Sequence, residues 1–203
     1  MIYLATPYER IPKKYHSYYG AMSSLAGRME KKALAIGRPW MLDNGEFAGK
    51  FNADKWIKAM KNLQPYGHNC LGVVVPDVVG DAVATLEKWH AFKDVVQPGY
   101  KKCFVAQNGM KDIKIPWSEF DCLFIGGDNH FKLKESPKWI VEAQRRGKWV
   151  HVGRVNTPLR IRRFWYADSV DGTTISMSRL RQIENLTFAI AWCMARKQTR
   201  RLL

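Results

Sequence analysis

Acidic residues are scarce in this chain: 18 Asp and Glu stand against 33 Lys and Arg, a formal net charge of +15 on 203 residues. The plain reading of that imbalance is a basic surface; the sharper one is a polyanionic partner. Its distribution favours the second, because ten Lys and Arg but only three Asp and Glu follow His151. Cysteine is also sparse. Cys70, Cys103, Cys122 and Cys193 form no CxxC pair and no closely spaced set with histidine, which argues against a structural zinc site. The expectation is a cytoplasmic protein with free thiols and no disulfides. No apolar run approaches the ~20 residues of a membrane span, and the start, Met1 to Pro7, lacks the basic opening of a signal peptide. There is no GxGxxG after the first apolar run, no Walker loop, no HExxH and no Ser/His/Asp order. Dinucleotide, P-loop and zincin chemistry therefore have no support, and the expectation is no metal, no cofactor and no membrane.

What is present is a chain that can bury an ordinary core. Hydrophobic residues make up 46% and charged residues 25%, and the length fits one domain over 1–203. Short apolar runs recur: 2–5, 40–42, 70–75, 103–106, 122–125, 149–152 and 167–171. Helical patterns separate most of them. One is read over 15–36 with Gly37 as its stop. Another starts near Asn52 or Asp54, others run over about 81–96 and from Ser136 to Arg146, and one follows Thr157-Pro158. A long helix with a basic tail closes the chain over about 178–201. Apolar runs alternating with helices mean βαβ units and a parallel sheet. About seven strands are visible and an eighth is not. The fold class expected is α/β, a small or incomplete TIM-like (β/α) barrel with a basic C-terminal helix.

The chemistry gathers where these runs end. Asp43 and Glu46 follow the second run, Asp77 the third, Gln107 and Asn108 the fourth, Gly126 and Gly127 the fifth, His151 and Gly153 the sixth, Asp168 and Asp171 the seventh. In a parallel barrel all these ends open on one face. Carboxylates placed there can divide acid, base and nucleophile roles. Amides and bare glycine backbone suit a planar, hydrogen-bonding ligand such as a nucleobase. Taken singly, an Asp in such a place is a common cap or turn former, and His151, inside an apolar run, reads as a core histidine. The ordered series carries the functional reading.

That series resembles the tRNA-guanine transglycosylases, and especially the short phage and bacterial enzymes that place 7-deazaguanines in DNA. Asp43-Asn44-Gly45-Glu46-Phe47 is similar to their DSGGF-like motif, and Val75-Pro76-Asp77 to the run that carries a base-reading Asp. Val105-Ala106-Gln107-Asn108-Gly109 is similar to VQGG, and Ile125-Gly126-Gly127 to the GG motif. Val152-Gly153-Arg154 with Thr157-Pro158 is similar to the GVG-like turn before a helix, and Asp168-Ser169-Val170-Asp171 to D-x-x-D. The chain departs from the pattern where Ser-Gly-Gly reads Asn44-Gly45-Glu46, and in the second glycine of VQGG. It also lacks the zinc-binding cysteines and about half the length of the tRNA enzymes, which points to the DNA-modifying branch.

The resemblance implies exchange of guanine in a nucleic acid, DNA rather than tRNA, for a 7-deazaguanine such as preQ0. Asp171 is then the nucleophile and Asp43 the general acid/base. Asp77, Gln107, Asn108, Gly126, Gly127, Glu46 and Phe47 hold the base. Arg154, Arg160, Arg162, Arg163, Arg179, Arg181, Arg196, Lys197, Arg200 and Arg201 are the phosphate-binding candidates. A homodimer is a further possibility that the resemblance raises. RNA as substrate, a non-catalytic nucleic-acid-binding barrel and a small-molecule barrel enzyme are the alternatives.

Overall fold

The computed structural model describes residues 1–25, 27–177 and 179–201. Its centre is a closed barrel of eight parallel strands in sequence order. These are β1 (Ile2–Ala5), β2 (Tyr19–Ser24), β3 (Trp40–Asp43), β4 (Cys70–Val74), β5 (Lys102–Ala106), β6 (Cys122–Ile125), β7 (Trp149–Val152) and β8 (Ser169–Asp171). β8 pairs with β1 at Tyr3–Val170 and Leu4–Asp171, which closes the ring. The helices are α1 (Lys31–Ala35), α2 (Ala53–Leu63), α3 (Ala82–Phe92), α4 (Ser136–Arg145), α5 (Pro158–Arg163), α6 (Thr174–Met177) and α7 (Leu180–Arg201). Barrels of this kind usually take ~250 residues. Here strands of three to six residues and 3-10 turns in place of some helices shorten the circuit. Two such turns, Tyr8–Arg10 and Lys13–Tyr18, connect β1 to β2, and a single one, Met110–Asp112, lies between β5 and β6.

The barrel is complete, and the strand not read in the sequence, β2, lies inside the helix expected over 15–36. The composition there is helical, rich in Ala, Met, Leu, Lys and Glu, but Gly20, Ser23 and Ser24 are not helix formers. Tertiary contact decides the outcome. Ala21 donates its N–H to the Pro39 carbonyl at 2.8 Å. A Cβ on Gly20 would lie 2.4 Å from that oxygen and 2.7 Å from Leu4 Cδ2. Only glycine lets β2 close against β1 and the entry to β3. The part of the expectation that survives is α1, which Gly37 ends at φ 73°.

Elsewhere local chemistry and fold agree. Asn52 caps α2 by accepting from Lys55 N at 2.9 Å, Asp81 caps α3 from Ala84 N at 3.0 Å, and Thr157 caps α5 from Arg160 N at 3.2 Å. Each such cap contributes about 1 kcal/mol. Alternation along the strands sorts two cores. Leu4, Met22, Met41, Val74, Cys103, Val105 and Cys122 fill the barrel. A larger layer between strands and helices buries Trp40, Trp56, Trp89, Phe104 and Phe120. All four cysteines are buried and unpaired. Among the described residues no helix is long and apolar enough to cross a membrane.

Candidate active site

Period-two alternation determines what stands at the carboxyl-terminal mouth of the barrel. The inward positions Leu4, Met22, Met41, Val105 and Phe124 lead, two residues on, to Thr6, Ser24, Asp43, Gln107 and Gly126. Along β8, Ser169 leads in the same way to Asp171. With Asp77, Phe47, Gly127, Lys132, Gly153 and Arg154, these residues line a cavity of about 310 Å³. That is a size suited to a small ligand or a single extruded group. The distant strand ends singled out in the sequence thus meet in one place: Asp43, Asp77, Gln107, Gly126, Gly127, Phe47, Arg154 and Asp171 all face it.

Asp43 and Asp171 sit in different environments. Asp43 accepts from Ser24 Oγ at 2.8 Å. Burial pushes its carboxyl up to about 6; the Ser24 bond opposes this, and the nearby Asp171 and Asp77 charges add to it. Asp171 is held through one oxygen. Its Oδ1 accepts the Arg154 amide at 2.7 Å and lies 3.4 Å from His151 Nε2. No bond from any described residue reaches Oδ2, and the side chain is 21% exposed, into the cavity. Behind it Trp149 Nε1 donates to Ser169 Oγ at 2.8 Å, and Ser169 Oγ lies 2.9 Å from His151 Nδ1. An ionised carboxylate oxygen can only accept, so a hydrogen bond between His151 and Asp171 runs from an Nε2–H to Oδ1.

The third carboxylate belongs to an amide lattice. Asp77 is buried and accepts from Asn44 Nδ2 at 2.8 Å and Gln107 Nε2 at 2.6 Å. Its carboxyl is raised by burial, against those two bonds. Gln107 Oε1 accepts in turn from Gly80 N at 2.9 Å and Gly127 N at 2.7 Å. A Cβ on Gly126 would come 2.7 Å from Gln107 Nε2, so the glycine is what lets the amide lie flat there. The lattice presents fixed donors and acceptors along one wall, as recognition of a planar heterocycle requires.

Two residues expected at the base are elsewhere. Glu46 is not on the cavity wall; its carboxylate is paired with Lys88 of α3, whose amine also reaches the Asp77 carbonyl at 3.1 Å. Asn108 is tied to Asp128 by a reciprocal pair of bonds at 3.0 and 3.1 Å. The basic residues divide. Arg154 stands at the mouth, its guanidinium 3.9 Å from the ring centre of Phe47, which is 59% exposed. That pair spans the opening between the loops after β3 and β7, on opposite sides of the barrel. Arg160 is tied to Asn129 after β6 at 2.7 Å, and Arg179 and Arg181 are exposed near the start of α7. Arg162 and Arg163 are exposed in the last turn of α5, and Arg162 lies over Trp192.

Arg196 and Lys197 lie at the other end of the barrel. Lys197 pairs with Asp168 at 3.0 Å, and Asp168 immediately precedes β8, at the amino-terminal mouth. Arg196 stacks on Trp165 and Trp192. α7 runs back down the barrel, so sequence proximity to Arg179 does not keep these charges near the site. The side chains of Arg200 and Arg201, and Ser178 at the expected start of this helix, lie outside the described residues.

The sequence reading passed over several contributors. His151 is a buried histidine, as expected, but it also touches Asp171. Ser24 belongs to the strand mistaken for helix. Lys132, 5% exposed, sits in a π-helical turn, Phe131–Glu135, and donates to the Gly153 carbonyl at 2.8 Å. Such turns recur at functional sites, but nothing in the run Lys132-Leu133-Lys134 distinguishes the buried lysine from its neighbour. Among the described residues no group of three or more His, Cys, Asp or Glu is arranged to hold a metal ion. No family model matches this chain, and neither a curated protein nor a solved structure matches it significantly.

Proposed function

We propose that the chain is a guanine transglycosylase that exchanges guanine in a nucleic acid, DNA before RNA, for a 7-deazaguanine such as preQ0. The observation that carries this reading is the pairing of unlike carboxylates in one cavity. Asp43 has its protonation balanced near neutrality, and Asp171 lines the cavity, fixed by Oδ1 and with no bond from any described residue to Oδ2. The resemblance of the strand-end series to the transglycosylases supplies the chemistry, and the convergence of those motifs on one cavity supports it.

In this reading the target nucleoside leaves the stack and enters the mouth. Asp171 Oδ2 attacks C1′, the C1′–N9 bond breaks, and the departing guanine takes the Asp43 proton on N9. A glycosyl ester on Asp171 remains. The incoming 7-deazaguanine gives its N9 proton to Asp43. Its N9 then displaces the ester at C1′, regenerating both carboxyl groups. Two displacements retain configuration, as in retaining glycosidases. His151 and the Arg154 amide hold Oδ1 through both steps. The Asp77–Gln107–Gly127 wall reads the base edge. Net charge supplies the attraction to phosphate, with Arg154, Arg160, Arg179 and Arg181 closest to the mouth.

The test is incubation with DNA or tRNA and labelled guanine or preQ0. Label becomes polymer-bound with the wild type and not with Asp171→Asn, and the preferred polymer is read directly. Failure to label either polymer with either base would refute the proposal.

A second reading, base exchange on a free nucleoside, is favoured by one observation. Arg196 and Lys197, which should track a long strand, lie at the barrel end remote from the cavity. It predicts label in free guanosine or deoxyguanosine at rates no lower than in polymer.

A further inference from the structure

Lys132 and Asp171 are joined by a single peptide group. The carbonyl of Gly153 accepts from Lys132 Nζ at 2.8 Å, and the N–H of the same peptide unit, carried by Arg154, donates to Asp171 Oδ1 at 2.7 Å. A cation at the oxygen end of a peptide polarises it and strengthens its N–H as a donor. We propose that Lys132 is a positioning residue for Asp171, acting through the Gly153–Arg154 peptide to aim and charge-stabilise the carboxylate. Its catalytic meaning rests on the transglycosylase reading; the linkage itself does not.

Three further features fit this role. Arg154 holds φ at 62°, a conformation an L-residue avoids, and that conformation presents the peptide with its N–H toward Asp171. Gly153 leaves no room for a side chain, since a Cβ there would come 2.7 Å from the Phe124 ring and 3.5 Å from Asp171 Oδ1. Burying a lysine is costly unless its charge is used, and Lys132 is nearly covered. Burial draws the ammonium down to about 8, with Asp171 opposing and Arg154 and Arg160 reinforcing the fall. The charged groups acting on it are Asp128 after β6, Arg154, Arg160 of α5 and Asp171 of β8, which is itself in contact with His151 of β7. Asp171 carries the carboxylate joined to it through the peptide.

A lysine that only filled space would leave the exchange rate at Asp171 indifferent to its charge. The sign of the effect follows from the protonated form being the active one: support for Asp171 is present below about 8 and declines as pH rises through it. The direct measurement is a carbon NMR titration of ε-labelled lysine, with the Lys132 signal identified by its absence in Lys132→Arg. The midpoint lies near 8 in the wild type and falls by roughly half a pH unit or more in Asp171→Asn, where the opposing charge is gone. An unchanged midpoint overturns the proposal, whether or not any base exchange occurs. In the exchange assay Lys132→Met lowers kcat roughly 10- to 100-fold with KM nearly constant. Lys132→Arg restores much of it and moves the alkaline limb upward, because guanidinium stays charged. Wild-type kcat in a folded Lys132→Met, checked by its thermal melt, also overturns the proposal. Absence of exchange in the wild type would refute the functional reading alone.

Discussion

The amide N–H of Arg154 lies 2.7 Å from Asp171 Oδ1, and Arg154 adopts φ 62° to place it there. A left-handed conformation costs a non-glycine residue about 1–2 kcal/mol. The backbone at the mouth is therefore strained for the sake of one hydrogen bond to the candidate nucleophile. Arg154→Gly relieves the strain and gives up only the exposed stack on Phe47, worth about 0.5–1 kcal/mol. It should unfold in urea at a midpoint equal to or above the wild type. Arg154→Val, β-branched at positive φ, should lose about 1–2 kcal/mol. Equal midpoints for the two variants would show that the backbone is not strained at this residue.

Asp43 makes the fold pH-sensitive in a definite direction. Its carboxyl stands at about 6 in the folded chain, against 3.8 for the free group. The folded state binds that proton more tightly than the unfolded state does. Stability from this group is full below about 4 and is lost as pH rises through about 6. The displacement corresponds to on the order of 2 to 3 kcal/mol at full ionisation. Asp43→Asn, which keeps a partner for Ser24, should be more stable than the wild type at pH 7.5 by roughly that amount. Its advantage should vanish near pH 4. Urea titrations at the two pH values measure it, and a gap that does not change between them would contradict the burial of the charge.

The strands were legible where both of their faces are buried. Cys70–Val74 and Cys103–Ala106 are unbroken apolar runs because helices cover one side and the barrel core the other. β2 is buried on both faces too, and its residue types hid it. Its inward positions are Gly20, Met22 and Ser24, its apolar content is low, and its flanks are rich in helix formers. What selects a strand there is the approach of the Pro39 carbonyl, a contact that exists only after the barrel forms. The site follows the same division. Asp43, Asp77, Gln107 and Asp171 stood out because polar residues ending apolar runs must share one mouth. Lys132 did not, because its burial comes from a π-helical turn folding beneath the Gly153 carbonyl. The placement of Arg196 and Lys197 needed the direction of α7, which composition does not carry.

Gly126 separates steric effects from conformational ones. Its Cβ would meet Gln107 Nε2 at 2.7 Å and Val105 Cγ1 at 2.9 Å, whereas a Cβ on Gly147 meets nothing within 4 Å and is opposed only by φ 67°. Gly147→Ala should cost about 1 kcal/mol and leave ligand binding untouched. Gly126→Ala should cost about 1–3 kcal/mol and also displace Gln107 from Asp77. In calorimetry with free guanine or preQ0, affinity should drop tenfold or more for Gly126→Ala alone. Loss of affinity in both variants would mean that general destabilisation, not the amide wall, governs binding.

Glu46 occupies the place where the resemblance leads one to expect glycine, and its carboxylate is engaged by Lys88 on α3 and directed away from the cavity. Its backbone, by contrast, contributes to the wall, since Glu46 N donates to Asn44 Oδ1 at 2.9 Å and so turns the Asn44 amide toward Asp77. Every residue but proline can supply that N–H at this position. The side chain is therefore a strut between the loop after β3 and α3, partly screened by solvent, and worth about 1 kcal/mol or less. Glu46→Gln should lower stability by that amount, and the ratio of guanine to preQ0 exchanged should not move. Asp77→Asn, which inserts a donor where Asn44 and Gln107 both need an acceptor, should change the ratio sharply. Competition between the two labelled bases in one tube reads both variants. A ratio that shifts with Glu46→Gln while stability holds would move the base-reading wall from Asp77 and Gln107 to the Glu46–Lys88 pair.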